Sequence, residues 1–329
     1  MSEVSPVLVT GGSGYLGSHV VAALLREGRP VRATVRSLRR EAGLREAVRR
    51  GGADDAALEV VAADLMMDDG WQAAVAGVAE VHHVASPIPV AQPDDPDELI
   101  LPAREGTLRV LRAARAAGAR RVVLTSSFAA VGYTPKPDGD SAGYTEADWT
   151  DPGMPGLAPY PRSKTIAERA AWDLMAEGDT ELVVVNPTAI FGPTLSAVMG
   201  SSMQLIKAML DGTMSVAPRV RFGVVDVRDV ADLHVRAMAS PQAAGKRYLA
   251  VSDGPALSFV EVAGILRRRL GDLAALAPTT EADTPEPPRP VIHNDRAREE
   301  LGWRARPAET TIVESAESLR DLGLLRPPL

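Results

Sequence analysis

A tyrosine and a lysine stand four residues apart in the segment Tyr160-Pro161-Arg162-Ser163-Lys164. Proline is typical of the first turn of a helix, so this segment predicts a helix that begins near Tyr160. Residues i and i+4 are neighbours on a helix, which would bring the Lys164 ammonium close to the Tyr160 phenol. A nearby cation lowers the pKa of a phenol, and Tyr160 could then act as a general acid or base near neutral pH.

Two serines, Ser126 and Ser127, end an apolar run at residues 122–125 that predicts a strand. Functional sites of open parallel sheets lie at the carboxyl ends of the strands, so a substrate could bind there. Ser127 could donate a hydrogen bond to a substrate oxygen that Tyr160 protonates, and Ser126 is the alternative donor. A serine in this position could also serve only as a backbone cap.

A glycine-rich turn, TGGSGYLG at residues 10–17, follows an apolar run and opens a helical stretch. Glycines permit a tight turn and let backbone amides approach a pyrophosphate, which then lies at the positive end of the helix. The spacing is G-x-x-G-x-x-G, and the alternative is a purely structural turn. The residues predicted to bind a dinucleotide here are Gly11, Ser13, Gly14, Tyr15, Leu16 and Gly17.

The strand predicted at Val31–Val35 ends in an arginine, Arg36, where an acidic residue would usually bind the ribose hydroxyls of NAD. A guanidinium suits a 2′-phosphate, whereas a carboxylate would repel it. Arg32, Arg39 and Arg40 would complete a basic patch in an otherwise acidic chain. These residues favour NADP(H) as the cofactor, although Arg36 could also be one more solvated arginine.

Short apolar runs alternate with helical stretches along the first half of the chain. The predicted strands are residues 7–9, Val31–Val35, Leu58–Ala62, 81–84, 122–125 and 182–185. Helices are predicted between them, for example at residues 19–26 and 106–117. Apolar runs without alternation are typical of strands buried on both faces, so we expect an α/β fold with a Rossmann-type doubly wound parallel sheet. The proline-rich stretches 93–96, 135–143, 151–161 and 277–290 predict loops.

The third predicted strand is followed by an acidic residue, Asp64, and by Leu65. The Asp64 carboxylate could accept a hydrogen bond from an adenine amino group, or it could be an ordinary turn residue. His82 and His83, adjacent at a strand end, would point to opposite faces of the sheet and suit a structural role. His234 lies in a helical pattern with acidic residues upstream, which favours a capping or ion-pair role.

The composition excludes several kinds of chemistry. The 329 residues contain no cysteine and five histidines, which rules out a thiolate nucleophile and a disulfide framework and leaves no metal site to propose. Lys and Arg total 36 against 43 for Asp and Glu, and the net charge of −7 disfavours nucleic acid as a partner. The sequence has no signal-peptide pattern and no long apolar run, so we expect a cytoplasmic protein with no membrane partner.

Taken together, these motifs resemble the extended short-chain dehydrogenases/reductases over nearly the whole chain. Within that family the chain looks most like the branch of dihydroflavonol reductases, cinnamoyl-CoA reductases and microbial aldehyde and ketone reductases. The segments that carry the resemblance are VTGGSGYLG at 9–17, VRATVR at 31–36, HVASP at 83–87, VLTSS at 123–127, the Tyr160 to Lys164 segment, VNPTAIFGP at 185–193 and VDVRDVADLH at 225–234.

The resemblance implies roles for the matching positions. Ser127, Tyr160 and Lys164 would form a catalytic triad, and Lys164 would also hold the nicotinamide ribose. Further cofactor contacts would come from Val84, Ala85, Ser86, Pro187 and Thr188. The chain lacks the N-W-Y-C-Y signature of plant cinnamoyl-CoA reductases. It is also apolar at residues 128–131, where dihydroflavonol reductases place a polar amide, so neither plant substrate carries over.

The sequence therefore predicts an NADPH-dependent reductase of apolar or aromatic aldehydes or ketones, or the reverse alcohol oxidation. The apolar stretch at residues 195–210 favours such a substrate. The alternatives are a sugar-nucleotide epimerase or dehydratase with bound NAD and a non-catalytic NADP-sensing regulator. We expect a cofactor-binding domain at 1–188 plus 223–252, a smaller substrate-binding lobe at 189–222 plus 253–329, and a monomer or homodimer.

Overall fold

Seven strands form a parallel sheet in the computed structural model, which describes residues 5–87, 95–137 and 142–325. The strands of the chain are β1 Val7–Thr10, β2 Val31–Val35, β3 Leu58–Ala62, β4 Glu80–His83, β5 Arg121–Thr125, β6 Glu181–Pro187, β7 Ala189–Phe191, β8 Arg221–Phe222, β9 Val224–Asp226, β10 Arg247–Ala250 and β11 Leu257–Ser258. The order in the sheet is β10-β6-β5-β4-β1-β2-β3, and every neighbouring pair is parallel. The order reverses between β1 and β4, where ligands bind in doubly wound folds.

Helices cover both faces of this sheet. Their bounds are α1 Tyr15–Arg26, α2 Glu41–Arg50, α3 Trp71–Val75, α4 Asp97–Ala116, α5 Pro159–Met175, α6 Ser201–Leu210, α7 Val227–Ala239, α8 Phe259–Leu270, α9 Asp295–Leu301 and α10 Ala308–Asp321. Along β1, Val9 belongs to a hydrophobic cluster with α1 and α7, whereas Leu8 belongs to a second cluster with α4 and α5. Side chains alternate between the two faces of a strand, so the predicted α/β architecture is confirmed. No helix within the described ranges is both long and apolar enough to cross a membrane.

The cluster on the α1 side continues without a break into the C-terminal part of the chain. It includes Met203 and Met209 of α6 and Ile312 of α10, all of them fully buried. These two methionines therefore fill the core, and a substrate-facing role for the rest of the stretch 195–210 stays a prediction. The division into two lobes stays a prediction, because one core spans both of them.

The strand predictions agree with the structure to within two residues at each end, and the helix predictions differ more. Helix α4 begins at Asp97, well before the predicted residue 106, because acidic residues in its first turn complement the helix dipole. The stretch 151–161 is not wholly irregular, since α5 already begins at Pro159, where prolines fit the first turn. The predicted loops 93–96 and 135–143 fall partly outside the described residues.

Three of the histidines are completely buried. His82 of β4 packs against His234 of α7, with 5.6 Å between ring centroids, and His83 is hydrogen-bonded to Thr10. The structural role predicted for His82 and His83 fits this burial. His234 neither caps a helix nor forms an ion pair in the described structure. Its Nε2 atom is hydrogen-bonded to Thr125 Oγ1 at 2.9 Å.

Acid should destabilise the fold through these buried histidines. Burial lowers the pKa of His82 and of His83 from 6.5 to about 3. The unfolded chain therefore binds more protons below pH 6.5, and stability falls as the pH drops from there toward 3. At about pH 5 each of these histidines lowers the free energy of unfolding by about 2 kcal/mol relative to neutral pH. Denaturant titrations at several pH values measure this loss of unfolding free energy.

Two variants test the cause of this acid sensitivity. His82→Leu should recover about 2 kcal/mol of the loss between about pH 7 and pH 5, because it removes one buried group that resists protonation. His293→Gln is the matched control, since the His293 side chain is 36% exposed and lies beside Asp295, and it should not recover the loss that burial causes. Parallel pH dependences in wild type and His82→Leu would contradict this account.

Candidate cofactor and active site

The carboxyl ends of four neighbouring strands bring the predicted site residues to one edge of the sheet. The glycine turn follows β1, residues 84–86 follow β4, Ser127 follows β5, and β6 ends at Pro187. Helix α5 adds Tyr160 and Lys164 to the same edge, as their contacts with Ser127 and Ser86 show. This edge lies at and beside the point where the strand order reverses.

The glycine turn is packed so tightly that side chains do not fit in it. Gly11 has a φ of +66°, and a Cβ there would lie 3.0 Å from Ala85 Cα. A Cβ on Gly17 would lie 2.2 Å from the Gly11 carbonyl oxygen. Thr34 of β2 holds the turn through its hydroxyl and its carbonyl oxygen, which accept from the amides of Gly11 and Gly12. The turn is therefore a rigid, narrow cradle.

This cradle suits a pyrophosphate. Gly14 is the N-cap of α1, whose first turn contains no acidic side chain that would repel an anion. The side chains of Tyr15 and Leu16 are buried in the protein, and the Tyr15 hydroxyl donates to the Gly192 carbonyl at 2.7 Å. These two residues can therefore offer a ligand only their backbone amides, while Ser13 lies at the turn itself.

Replacing Gly17 with alanine should weaken both the fold and nucleotide binding. The new Cβ would meet backbone atoms of Gly11, which cannot move aside as a flexible side chain could. We expect a loss of at least about 1 kcal/mol of stability, as for other overpacked sites, and a tenfold or larger rise in the Kd for NADPH. Thermal unfolding and fluorescence titration measure the two effects.

Gly43→Ala is the matched control for Gly17→Ala. Gly43 lies in α2, and a Cβ there would meet no atom within 4 Å. Alanine should stabilise that helix by about 0.5–1 kcal/mol and leave the Kd unchanged. Equal effects of the two variants would show that the close approach at Gly17 does not matter.

Residues 84–86 connect the glycine turn to Lys164. The Thr10 hydroxyl oxygen accepts from the amides of Val84 and Ala85, at 3.1 Å and 3.0 Å. Lys164 Nζ donates to Ser86 Oγ at 2.9 Å. Thr10 was not among the predicted site residues, although its place directly before the first glycine was a signal. Thr188 continues the same edge beyond β6, where its amide donates to the Ala250 carbonyl.

A basic surface follows β2. Within the described ranges Arg36, Arg39 and Arg40 are exposed, and none of them forms an ion pair. The expectation that Arg32 joins this patch is wrong, because its Nε donates to Glu59 at 2.7 Å and its Nη1 to the Ala76 carbonyl. Three unpaired guanidiniums beside the glycine turn suit a phosphate beyond the pyrophosphate.

Asp64 has a visible local role at the end of β3. Its carboxylate accepts from the amide of Met66 at 3.0 Å, as in an Asx turn, and Leu65 packs its side chain against Gly106. The turn interpretation of Asp64 therefore fits the structure. The hydrogen bond from an adenine amino group to Asp64 stays a prediction.

The Tyr160 hydroxyl lies within 3.5 Å of Ser127 Oγ. Tyr160 as a whole is 37% exposed. Lys164 follows one helical turn later on α5, with its Nζ atom 5.9 Å from the centroid of the Tyr160 ring. Burial lowers the pKa of Lys164 to about 8, an effect that the charge of Glu168 partly offsets.

The prediction that the Tyr160 pKa is lowered is wrong for this arrangement. Burial raises the pKa of Tyr160, and the hydrogen bond with Ser127 only partly opposes that effect. Desolvation disfavours the phenolate more than this hydrogen bond favours it. The phenol is consequently protonated at neutral pH, which is the form that a proton donor requires.

The two candidate serines have different partners. Ser126 Oγ donates to Glu168 Oε2 at 2.5 Å. Ser127 Oγ lies beside the Tyr160 hydroxyl and also accepts from the amide of Ala129 at 3.1 Å. The geometry therefore favours Ser127 over Ser126 as the donor to a substrate. The bond from the Ala129 amide shows that Ser127 also caps the backbone, which was the alternative role for this serine.

Aromatic rings surround the segment that follows Ser127. The ring centroid of Phe128 lies 5.6 Å from that of Tyr144 and 6.4 Å from that of Tyr133. Tyr133 is about half exposed, and its pKa is raised by burial and, to a smaller extent, by the neighbouring Tyr160. Apolar ring surface is therefore available next to the two hydroxyls.

Comparison with known proteins places the chain in a family. The profile of the "NAD dependent epimerase/dehydratase family" matches residues 7–250. The chain is 35% identical to cinnamoyl-CoA reductase CAD2 of Medicago truncatula over 318 residues, covering 96% of this chain and 95% of that protein. It is 30% identical to an anthocyanidin reductase of Vitis vinifera, covering 97% and 96% of the two chains.

A solved structure shows the same fold. Yeast methylglyoxal/isovaleraldehyde reductase Gre2, solved in complex with NADPH, superposes with a TM-score of 0.81 at 26% identity, covering 97% of this chain and 99% of that chain. The resemblance inferred from the motifs is thereby confirmed. The chain belongs to the NAD dependent epimerase/dehydratase family and is an oxidoreductase of the extended short-chain dehydrogenase/reductase type.

Proposed function

We propose that this enzyme uses NADPH to reduce the carbonyl group of an apolar or aromatic aldehyde or ketone, or catalyses the reverse alcohol oxidation. The observation that carries the proposal is the meeting of Ser127, Tyr160 and Lys164 at the edge of the sheet that also holds the glycine turn. A phenol, a hydroxyl and an ammonium are the groups that a carbonyl reduction needs from the protein.

The residues of the edge fit a bound NADPH. The cradle between Gly11 and Gly17 would hold the pyrophosphate, and the unpaired Arg36 would bind the 2′-phosphate. Residues 84–86 and Pro187–Thr188 would lie along the nicotinamide half, and Lys164 would also hold its ribose. NADPH supplies the hydride when it is bound.

The protein's own groups handle the proton. Tyr160, protonated at neutral pH, donates its proton to the substrate oxygen as that oxygen gains electron density. The Ser127 oxygen already accepts from Ala129, so its own hydrogen remains available to orient the same carbonyl. The Lys164 ammonium, one turn along α5, stabilises the phenolate that the transfer leaves behind.

The aromatic surface beside Ser127 favours an apolar substrate. Phe128 and Tyr133 could contact a ring or an alkyl chain, and neither offers the charge that a sugar nucleotide would require. The names of the relatives, cinnamoyl-CoA reductase and methylglyoxal/isovaleraldehyde reductase, agree with a carbonyl substrate of this kind.

A screen of NADPH oxidation with the purified enzyme tests this function. Its panel contains aromatic aldehydes, diketones and acyl-CoA thioesters, and the nucleotide retained by the protein is identified beforehand. We expect that the purified protein retains no tightly bound NAD. We also expect it to oxidise NADPH when a suitable carbonyl compound is added. Retained NAD together with inactivity on the panel would favour an epimerase or dehydratase. Intact NADPH binding without any oxidation would favour a sensing protein.

A further inference from the structure

An ion pair lies buried behind the catalytic residues. Glu168 of α5 accepts from Arg247 Nε of β10 at 2.7 Å, and the two side chains are 0% and 7% exposed. Burying two charges costs about as much free energy as their attraction returns, so apolar residues would serve stability equally well. Stability alone therefore does not explain the pair, and its contacts indicate a further role.

The carboxylate of Glu168 holds the segment that carries the catalytic serine. Its Oε2 atom accepts from Ser126 Oγ at 2.5 Å and from Asn186 Nδ2 at 2.7 Å. Asn186 Nδ2 also donates to the main-chain carbonyl of Ser127 at 3.1 Å. Glu168 lies on the same helix as Tyr160, so these bonds fix the position of Ser127 relative to the phenol.

The guanidinium of Arg247 holds the segment that leads into α5. Its Nη1 atom donates to the carbonyls of Glu146 and Asp148, at 3.0 Å and 2.7 Å. Its central carbon lies 3.8 Å from the ring centroid of Trp149. The pair therefore joins the loop before Tyr160, the helix that carries Tyr160 and the strand ends that carry Ser127.

The charge of Glu168 also acts on Lys164. Glu168 follows Lys164 by one helical turn, and its negative charge opposes the effect of burial on the Lys164 ammonium. Titratable groups around the pair and around Lys164 include Tyr160 on α5, His83 on β4 and Glu146 on the loop before α5. Two further cations lie beside the pair: Arg169, over the ring of Trp149, and Arg296, which is paired with Glu146. His83 is neutral at working pH, because burial holds its pKa at about 3.

We propose that Glu168 and Arg247 are a pair of positioning residues for catalysis. Their bonds set Ser127 against Tyr160, and their opposite charges balance the protonation of the Tyr160–Lys164 pair. The proposal rests on the carbonyl reductase function. Sequence spacing contained a signal for Glu168, which follows Lys164 at the same four-residue interval that separates Lys164 from Tyr160.

Two single variants distinguish this role from a structural one. Glu168→Gln removes a negative charge, so the Tyr160–Lys164 pair loses its proton more easily. The pH at which kcat falls on the alkaline side, the alkaline limb of its profile, should then decrease by about one unit. Arg247→Gln removes a positive charge, so that pH should increase. Both variants should also lower kcat about tenfold or more, because Ser127 is less well held. A structural defect alone would not move the limb in opposite directions.

A third variant separates positioning from charge. Glu168→Asp keeps the charge but shortens the side chain, so kcat should fall while the alkaline limb stays near its wild-type pH. This variant also provides the test if Glu168→Gln does not fold. Glu105→Gln, at a 40% exposed ion pair on α4, is the matched control and should change neither quantity.

The possible outcomes are distinct. An inactive wild type would overturn the proposed function itself. An active wild type whose Glu168→Gln and Arg247→Gln variants shift the limb in the same direction, or not at all, would overturn the positioning pair alone. A Glu168→Asp variant with unchanged kcat would do the same.

Discussion

Replacing Tyr160 with phenylalanine will lower kcat for carbonyl reduction by about a thousandfold, because general acid catalysis typically contributes between about 10² and 10⁴ in rate. The variant loses the hydroxyl that lies 3.5 Å from Ser127 Oγ but keeps the ring and its packing. The Kd for NADPH should stay within about twofold of wild type, since the glycine cradle and Arg36 are untouched. Steady-state kinetics and a nucleotide titration measure the two quantities.

Tyr133→Phe is the matched control for this loss. Tyr133 is another phenol close to Tyr160, and it has no part in the proposed proton transfer. Its variant should keep kcat within about tenfold of wild type. Near-normal turnover in Tyr160→Phe, or an equal loss in both variants, would contradict the role of Tyr160 as the proton donor.

Replacing Arg36 with aspartate will move the cofactor preference from NADPH toward NADH. The change removes a guanidinium that is free to pair with a 2′-phosphate and introduces a carboxylate that repels it. A hydrogen bond to a charged group contributes about 1.5–3 kcal/mol, so the NADPH/NADH ratio of kcat/KM should fall by at least about tenfold. The aspartate could also accept from the ribose hydroxyls of NADH, which adds to the change.

Arg112→Asp controls for the change in net charge. Arg112 is an exposed residue of α4, at a helix that does not form the glycine turn. The ratio should stay at its wild-type value in this variant. An unchanged ratio in Arg36→Asp would mean that Arg36 does not select the cofactor, and Arg39 and Arg40 would be the next residues to change.

Much of the fold could be predicted because its signals are local. Short runs rich in apolar residues mark β2 and β3 to the residue, although each run contains a charged side chain, Arg32 or Glu59. The glycine turn is equally local, because a tight turn and a helix start depend on neighbouring residues. The meeting of Ser127 with Tyr160 followed from the general rule that strand ends form the sites of parallel sheets.

What could not be predicted depends on contacts between distant parts of the chain. Arg247 and Glu168 are 79 residues apart, and nothing near Arg247 in the sequence indicates a buried partner. The pairing of Arg32 with Glu59 depends on the register between β2 and β3. The direction of the Tyr160 pKa change depends on burial, which spacing along a helix does not reveal.

Tracing the hydride tests the central claim most directly. The enzyme is incubated with each carbonyl compound of the panel and with NADPH that carries deuterium in both C4 positions of the nicotinamide, and the alcohol product is examined by mass spectrometry and NMR. We predict one deuterium on the former carbonyl carbon and no labelled product with Tyr160→Phe over the same period. Alcohol without deuterium at that carbon, or NADPH binding with no carbonyl of the panel reduced, would contradict the proposed function.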